Sequence, residues 1–274
     1  LPVLEARKID GPFGPLAVWD TGGDGPAIVL LHGNSSSSRV YWRQLDGPLG
    51  RIRRLVAYDL QGHGDSARSD DPAAYLLPGH AKSLLALVDE MGLEEATFAG
   101  WSLGGHVVLE AAPDLARARG FAIFGTPPVD FPAPIDRAFL PNPLLGVSFS
   151  AEISREQAEG YVQAGFAPGF TDIPPFFVED VLRTDGRARA GVAASIDPAV
   201  SRDEIAVVAN LKAPLAILHG ERDQLVNSAY FASLKTPTLW RGAVQTIAHA
   251  GHTPQWETPA AFDSLIEAFT QRRG

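Results

Sequence analysis

Three side chains that lie far apart in the chain, Ser102, Asp223 and His252, are of the types that carry out nucleophilic acyl transfer. Ser102 stands in Gly100-Trp101-Ser102-Leu103-Gly104, a G-x-S-x-G pentapeptide. The strand-like run Ala96-Thr97-Phe98-Ala99 enters it, and the helix-compatible run Gly105-His106-Val107-Val108 leaves it. A strand that turns sharply into a helix presents the serine hydroxyl at the top of a sheet. A Cβ at position 100 or 104 would crowd that turn or block close strand–helix packing.

A serine hydroxyl is a poor nucleophile at neutral pH and needs a histidine within hydrogen-bond reach to take its proton. His252, in the loop Ala250-Gly251-His252-Thr253-Pro254 after the last predicted strand, has the most suitable setting, with His249 as the alternative. His32 and His219 end strands before glycines, where a structural hydrogen bond is expected. His63 sits in a Gly-His-Gly turn, and His80 and His106 fall on helices, His106 too near Ser102 along one helix to face it. The histidine needs a carboxylate to hold its tautomer and stabilise the imidazolium. Asp223, following the strand at 214–219, is the leading candidate. Glu221 is the alternative, unless it pairs with Arg222, and Asp130 is a third. Charge developing on the attacked carbonyl requires two aimed backbone N–H groups. The residue after the nucleophile supplies Leu103 N–H, and the loop His32-Gly33-Asn34 supplies Asn34 N–H.

These residues must be held by a scaffold that brings strand ends together. Ala27–His32, Arg54–Asp59, Ala96–Trp101, Gly120–Gly125 and Pro214–Gly220 read as strands buried on both faces. Intervening helices are expected at 39–49, with Tyr41, Trp42 and Leu45 on one side, and at 79–91, with Leu84, Leu85, Leu87 and Val88 as the core face. Such alternation predicts an α/β fold with a mostly parallel, doubly wound sheet, preceded by a hairpin of strands at 3–9 and 15–19. Ligands of such sheets bind beyond the carboxyl ends of the strands. The chain closes with a helix at about 225–235, a strand at 243–248 and a helix from Pro259 to Arg272, its Phe262, Leu265, Ile266 and Phe269 at i, i+3, i+4, i+7.

The alternation stops at 126–197, which holds nine of the 22 prolines and seven of the 14 phenylalanines. A structureless loop this long is improbable in a compact domain. We therefore expect a mainly helical cap at 126–197, helical at 152–164 and 175–194, inserted into a core of 1–125 and 198–274. Its phenylalanines, Phe131 and Phe139 among them, either line an apolar pocket or form the cap's own core. Trp101, beside the nucleophile, is a further candidate substrate contact.

The 274 residues carry a net charge of −9 and no cysteine, which excludes disulfides and thiolate catalysis and argues against nucleic acid or an anionic membrane as partner. No apolar stretch reaches the ~18 residues of a membrane span. The first residues lack a basic segment followed by an apolar one, so a cytoplasmic location is expected.

Leu31-His32-Gly33, Asp59 with Gly62-His63-Gly64 and Ser66, Gly100–Gly105, Gly220 with Asp223, and Gly251-His252 with Pro254 run in an order that resembles the α/β-hydrolase superfamily. The succession Ser102…Asp223…His252 is the one expected of that fold. A narrower likeness rests on His32–Ser37, Gly100–His106, Gly125–Val129, Arg183–Arg189 and Leu239-Trp240. These resemble the α/β-hydrolase-type N-acyl-homoserine lactonases, quorum-quenching enzymes, although that type carries glutamate where this chain has Asp223. The resemblance implies a small-molecule lactone or ester with an apolar acyl chain as substrate and no metal or cofactor. It also implies a substrate hydrogen bond from Tyr161, for which ordinary cap packing is the alternative. A general carboxylesterase, or a ligand receptor on the same fold, are the other readings.

Overall fold

The computed structural model describes residues 4–271. Eight strands form one sheet: β1 Arg7–Ile9, β2 Leu16–Asp20, β3 Ile28–Leu31, β4 Leu55–Tyr58, β5 Thr97–Trp101, β6 Gly120–Phe124, β7 Leu215–Gly220 and β8 Gln245–Ile247. They lie in the order β1-β2-β4-β3-β5-β6-β7-β8. The pairings β1–β2 and β2–β4 are antiparallel, and every later pairing is parallel.

Successive strand residues face opposite sides, so uninterrupted apolar runs serve two cores at once. Val29, Leu31, Phe98, Phe121 and Ile123 pack on one side with Leu84, Leu87 and Val88 of the helix Leu77–Met91. Ile28, Leu30, Ala99, Ala122 and Phe124 pack on the other with Phe262, Ile266 and Phe269 of the helix Pro259–Thr270. The first of these helices starts with a proline in its opening turn and stops at Gly92, whose φ of 62° ends it in the left-handed region.

Between β6 and β7 the chain forms the helices Ile135–Ala138, Arg155–Ala164, Phe176–Arg183, Gly186–Ala194 and Glu204–Asn210. Ser154 and Gln157 close a reciprocal capping box on the second of these. Polar contacts fasten the segment to the strand-end loops. Buried Asp180 accepts from Ser37 Oγ at 2.6 Å and pairs with Arg39. Asp185 accepts from Tyr75 OH at 2.9 Å, and its N–H donates to Gly62 O at 2.9 Å. Among the described residues, no helix is long and apolar enough to cross a membrane.

Several expected elements differ in the structure. The helix expected at 39–49 breaks at Gly47, which is extended before Pro48 starts a separate helix, Pro48–Ile52. Tyr41 and Leu45 are buried, but Trp42 is 43% exposed. The helix expected at 175–194 is two helices, because Thr184 turns extended and the Asp185 side chain caps the second. The helix expected at 225–235 is a 3₁₀ segment, Ser228–Ser233, capped by Asn227. Leu85 and Leu265 are half-buried rather than core. Val3 and Arg272, expected to extend the first strand and the last helix, lie outside the described residues.

Candidate active site

Ser102 joins β5 to the helix Leu103–Ala111 with φ 51° and ψ −119°. A non-glycine residue in that region costs of order 1–3 kcal/mol, so its surroundings must over-determine it. They do so from both sides. Ser102 N–H donates to Phe124 O at 2.9 Å, and its carbonyl accepts from Gly105 N–H and Thr126 Oγ1, each at 2.9 Å. A Cβ on Gly104 would strike the Leu31 carbonyl, and one on Gly33 would lie 3.2 Å from Ser102 Cβ. The helix therefore begins tight against the end of β3, and Ser102 stands beside the His32-Gly33-Asn34 loop.

His252 is buried, and its Nδ1 lies 2.9 Å from Asp223 Oδ2. The other carboxylate oxygen, Oδ1, accepts from the N–H groups of Leu225 at 2.7 Å and Val226 at 3.1 Å. Burial works to raise the Asp223 carboxyl, but the His252 charge and hydrogen bond, with those two N–H groups, hold it below its ordinary value. The His252 ring rests over Gly125, where a Cβ would lie 2.7 Å from Cε1. Its loop is held by Trp101 Nε1–H, which donates to His252 O at 2.7 Å. Glu257 accepts from Gly251 N–H at 2.8 Å and from Ala167 N–H at 2.7 Å, linking that loop to the segment above the sheet.

The rival groups lie elsewhere. His249 is exposed, and its N–H donates to Glu221 Oε2 at 3.0 Å, so neither takes the place of His252 or Asp223. Glu221 is accordingly not paired with Arg222 among the described residues. His32 is fully buried, with Nδ1 against Gly33 O at 2.7 Å and Nε2 accepting from Leu60 N–H at 2.9 Å. Burial pushes its pKa down to about 3, so it is a neutral structural group.

Asn34 N–H and Leu103 N–H donate to no protein acceptor among the described residues. Asn34 is positioned by its side chain, whose Nδ2 donates to Ser148 O at 2.7 Å. Two cavities meet at Ser102 and Asn34. The larger, about 110 Å³, also touches Leu103 and is walled by Val129, Phe131, Ile135, Phe139, Leu145 and Phe149. The smaller, about 30 Å³, is walled by Trp101, Tyr161, Phe166, Phe177, Leu225 and His252. Tyr161 OH accepts from Ser148 Oγ at 3.1 Å, within the same segment that anchors Asn34.

The chain as a whole has counterparts among known proteins. The model described as "Alpha/beta hydrolase family" matches residues 28–265. The chain belongs to the alpha/beta hydrolase family. N-acyl homoserine lactonase AidH, crystallised as a mutant with N-hexanoyl homoserine lactone, superposes with a TM-score of 0.92 at 30% identity over 97% of each chain. Its complex with N-butanoyl homoserine gives 0.93 at 30% identity over 99% of each. Pimeloyl-[acyl-carrier protein] methyl ester esterase of Xanthomonas axonopodis pv. citri (strain 306) is 29% identical over 253 residues, 86% of this chain and 91% of its own. The 2-hydroxymuconate semialdehyde hydrolase of Pseudomonas sp. (strain CF600) is 27% identical over 265 residues, 90% and 87%. The chain is thus a hydrolytic enzyme whose relatives act largely on esters.

Glu257 escapes sequence reasoning altogether, and the contacts that Arg189 and His106 make are not visible in it. Glu257 follows the histidine loop in a helix with no motif to mark it. Arg189 is 3% exposed, and donates to Ser150 O, Ala151 O and Val181 O and to Ser35 Oγ, next to Asn34. His106 also lines the larger cavity, with its Nδ1 2.8 Å from Glu204 Oε1 rather than against Ser102.

Proposed function

We propose that this hydrolase opens the lactone ring of N-acyl-homoserine lactones with Ser102, His252 and Asp223 as its catalytic triad. The observation that carries the reading is that Ser102 and Asn34 lie where an apolar cavity and a smaller cavity containing His252 meet. A substrate with an apolar acyl arm and a compact ring needs such a division. Residues 126–197 act as the cap that forms both cavity roofs.

In this reading Ser102 Oγ attacks the ring carbonyl while His252 Nε2 takes its proton. Asp223 occupies Nδ1, which leaves Nε2 for this exchange and stabilises the imidazolium. Asn34 and Leu103 N–H groups receive the oxyanion, and losing one such donor typically lowers turnover by ~10²–10³. On collapse the ring C–O bond breaks and His252 returns the proton to the homoserine hydroxyl, which stays tethered to the acyl-enzyme. Water, activated by His252, then releases N-acyl-homoserine, a product without the lactone on which acyl-homoserine signals depend. The ring is assigned to the smaller cavity, beside Tyr161, and the acyl chain to the larger one, gaining about 0.8 kcal/mol per buried CH₂.

Mass spectrometry of an acyl-homoserine lactone incubated with the enzyme tests the reaction. The expected product is heavier by one water with its amide intact, and Ser102→Ala abolishes it. Fatty acid plus free homoserine lactone would overturn the assignment. The similarity to a methyl ester esterase favours general ester hydrolysis as the second reading. Faster turnover of simple alkyl or aryl esters than of any lactone would establish that instead.

A further inference from the structure

Arg189 differs from the other arginines that reach inward. Arg39, Arg54 and Arg202 each pair with a carboxylate. Arg189, almost wholly buried, meets among the described residues only the carbonyls of Ser150, Ala151 and Val181 and the Ser35 hydroxyl. Asp185, four residues earlier, is occupied by Arg187 at 2.7 Å and by Tyr75 OH. Burial lowers the Arg189 pKa, but a guanidinium keeps its proton in proteins. A buried charge without a counterion destabilises a fold, and such groups concentrate at functional sites.

That charge lies against the turn that holds Asn34. Arg189 Nη1 donates to Ser35 Oγ at 3.3 Å, and Ser35 Oγ donates to Asn34 Oδ1 at 3.2 Å. Ser35 is buried with φ 56°, a left-handed conformation that a serine keeps only when its surroundings impose it. The turn abuts Ser102, since a Cβ on Gly33 would lie 3.2 Å from Ser102 Cβ. Ser35, Ser102 and His252 also wall the same small cavity. Tyr161 walls it too, and burial raises its hydroxyl pKa while the Arg189 charge opposes that rise.

We propose that Arg189 is a positioning residue of the oxyanion site, holding the Ser35–Asn34 turn and setting an uncompensated positive charge behind the oxyanion formed at Asn34 N–H. The inference deepens the proposed mechanism and rests on it for the place of that oxyanion. The substrate is neutral and becomes negative only as Ser102 Oγ adds to its carbonyl. A fixed cation therefore lowers the barrier without tightening ground-state binding. At an effective dielectric of ~20 and a separation on the order of 10 Å, the charge changes the rate by a factor of roughly ten.

Hexylboronic acid is the probe. Its boron bonds to Ser102 Oγ as the serine proton passes to His252, which leaves a tetrahedral boron carrying one negative charge. Titration calorimetry should find this adduct about tenfold weaker in Arg189→Met, and kcat/KM for p-nitrophenyl butyrate should fall by the same factor. Arg189→Gln, which keeps two N–H donors for the carbonyls, carries the comparison if the methionine variant folds poorly. Arg189→Lys keeps the charge and should stay within about threefold of wild type. N-hexanoyl-homoserine lactone, bound as a neutral ligand to Ser102→Ala, should lose less than about twofold in affinity from the same changes. A merely structural role would weaken both probes alike. Equal boronate affinity in wild type and Arg189→Gln, a lysine variant no better than the glutamine one, or lactone affinity falling as far as the boronate's overturns the inference. Boronate and ester following the charge, with no lactone bound or opened, would sink the lactonase reading and leave this one standing. Lactone opening with boronate affinity indifferent to the charge would do the reverse, and no boronate adduct on wild type would end both.

Discussion

The indole N–H of Trp101, the residue before Ser102, donates a 2.7 Å hydrogen bond to the backbone carbonyl of His252, the proposed base. Position 101 is thus a positioning residue for the histidine loop as well as a wall of the smaller cavity. One side chain couples the β5 turn to the loop after β8, two strand ends separated in the sheet by β6 and β7. Trp101→Phe keeps most of the ring and removes the donor. Chemical denaturation should show a loss of about 1 kcal/mol. Steady-state kinetics should show kcat roughly tenfold lower, because small misplacements of a catalytic ring are expensive in rate. An unchanged kcat would separate the loop from catalysis.

Gly125 carries the His252 ring on its open face. At φ 60° it has a backbone conformation that favours glycine, and a Cβ would fall within 3.1 Å of three ring atoms. Gly125→Ala should therefore displace the imidazole and lower kcat by about 10²-fold. The β6 strand ends before this position, so circular dichroism should remain that of the wild type.

Arg189 is a buried cation whose partners are backbone carbonyls of the β6–β7 segment and the hydroxyl of Ser35. Arg189→Met strands those carbonyls and should destabilise the fold by on the order of 3 kcal/mol in urea unfolding. It should also lower kcat, since Ser35 adjoins Asn34. Arg155→Met, at a side chain 71% exposed, should stay within about 0.5 kcal/mol of wild type.

Asp59 is fully buried at the end of β4, with oxygens accepting from Ser38 N–H at 2.7 Å and Asp65 N–H at 2.6 Å. Burial dominates and raises its pKa from 3.8 to about 6, with Asp180 adding to the rise. The unfolded chain therefore loses this proton before the folded one does. Its contribution to stability is full below about pH 3.8 and declines as pH rises through about 6. In Asp59→Asn that decline is absent. The variant's stability relative to wild type should increase by about 3 kcal/mol between pH 3.5 and pH 7.5 in urea unfolding. A pH-independent difference would refute the assignment.

The turn that carries Ser102 was legible in the sequence because its causes are local. Only glycine fits where β5 and its helix approach β3, and an apolar run on each side dictates strand and helix. The buried strands were legible for the same reason, since runs such as Ile28–Leu31 must face two cores. Helix breaks were not. Gly47-Pro48 and Thr184-Asp185 interrupt runs whose apolar spacing continues across them, so local capping outweighed periodicity there.

By itself the sequence determined the alternation of strands and helices, the serine on its turn, and the order of the chemical groups, all properties of neighbouring residues. The tertiary structure decided which of them meet. Asp223 rather than Glu221 lies against His252, because its Oδ1 is held by two backbone N–H groups while Glu221 turns to His249 N–H. His106 faces the cavity because Glu204, 98 residues away, holds its ring there. Contacts between distant segments depend on how the segment after β6 folds back across the sheet, and that path is set by packing rather than by any local pattern.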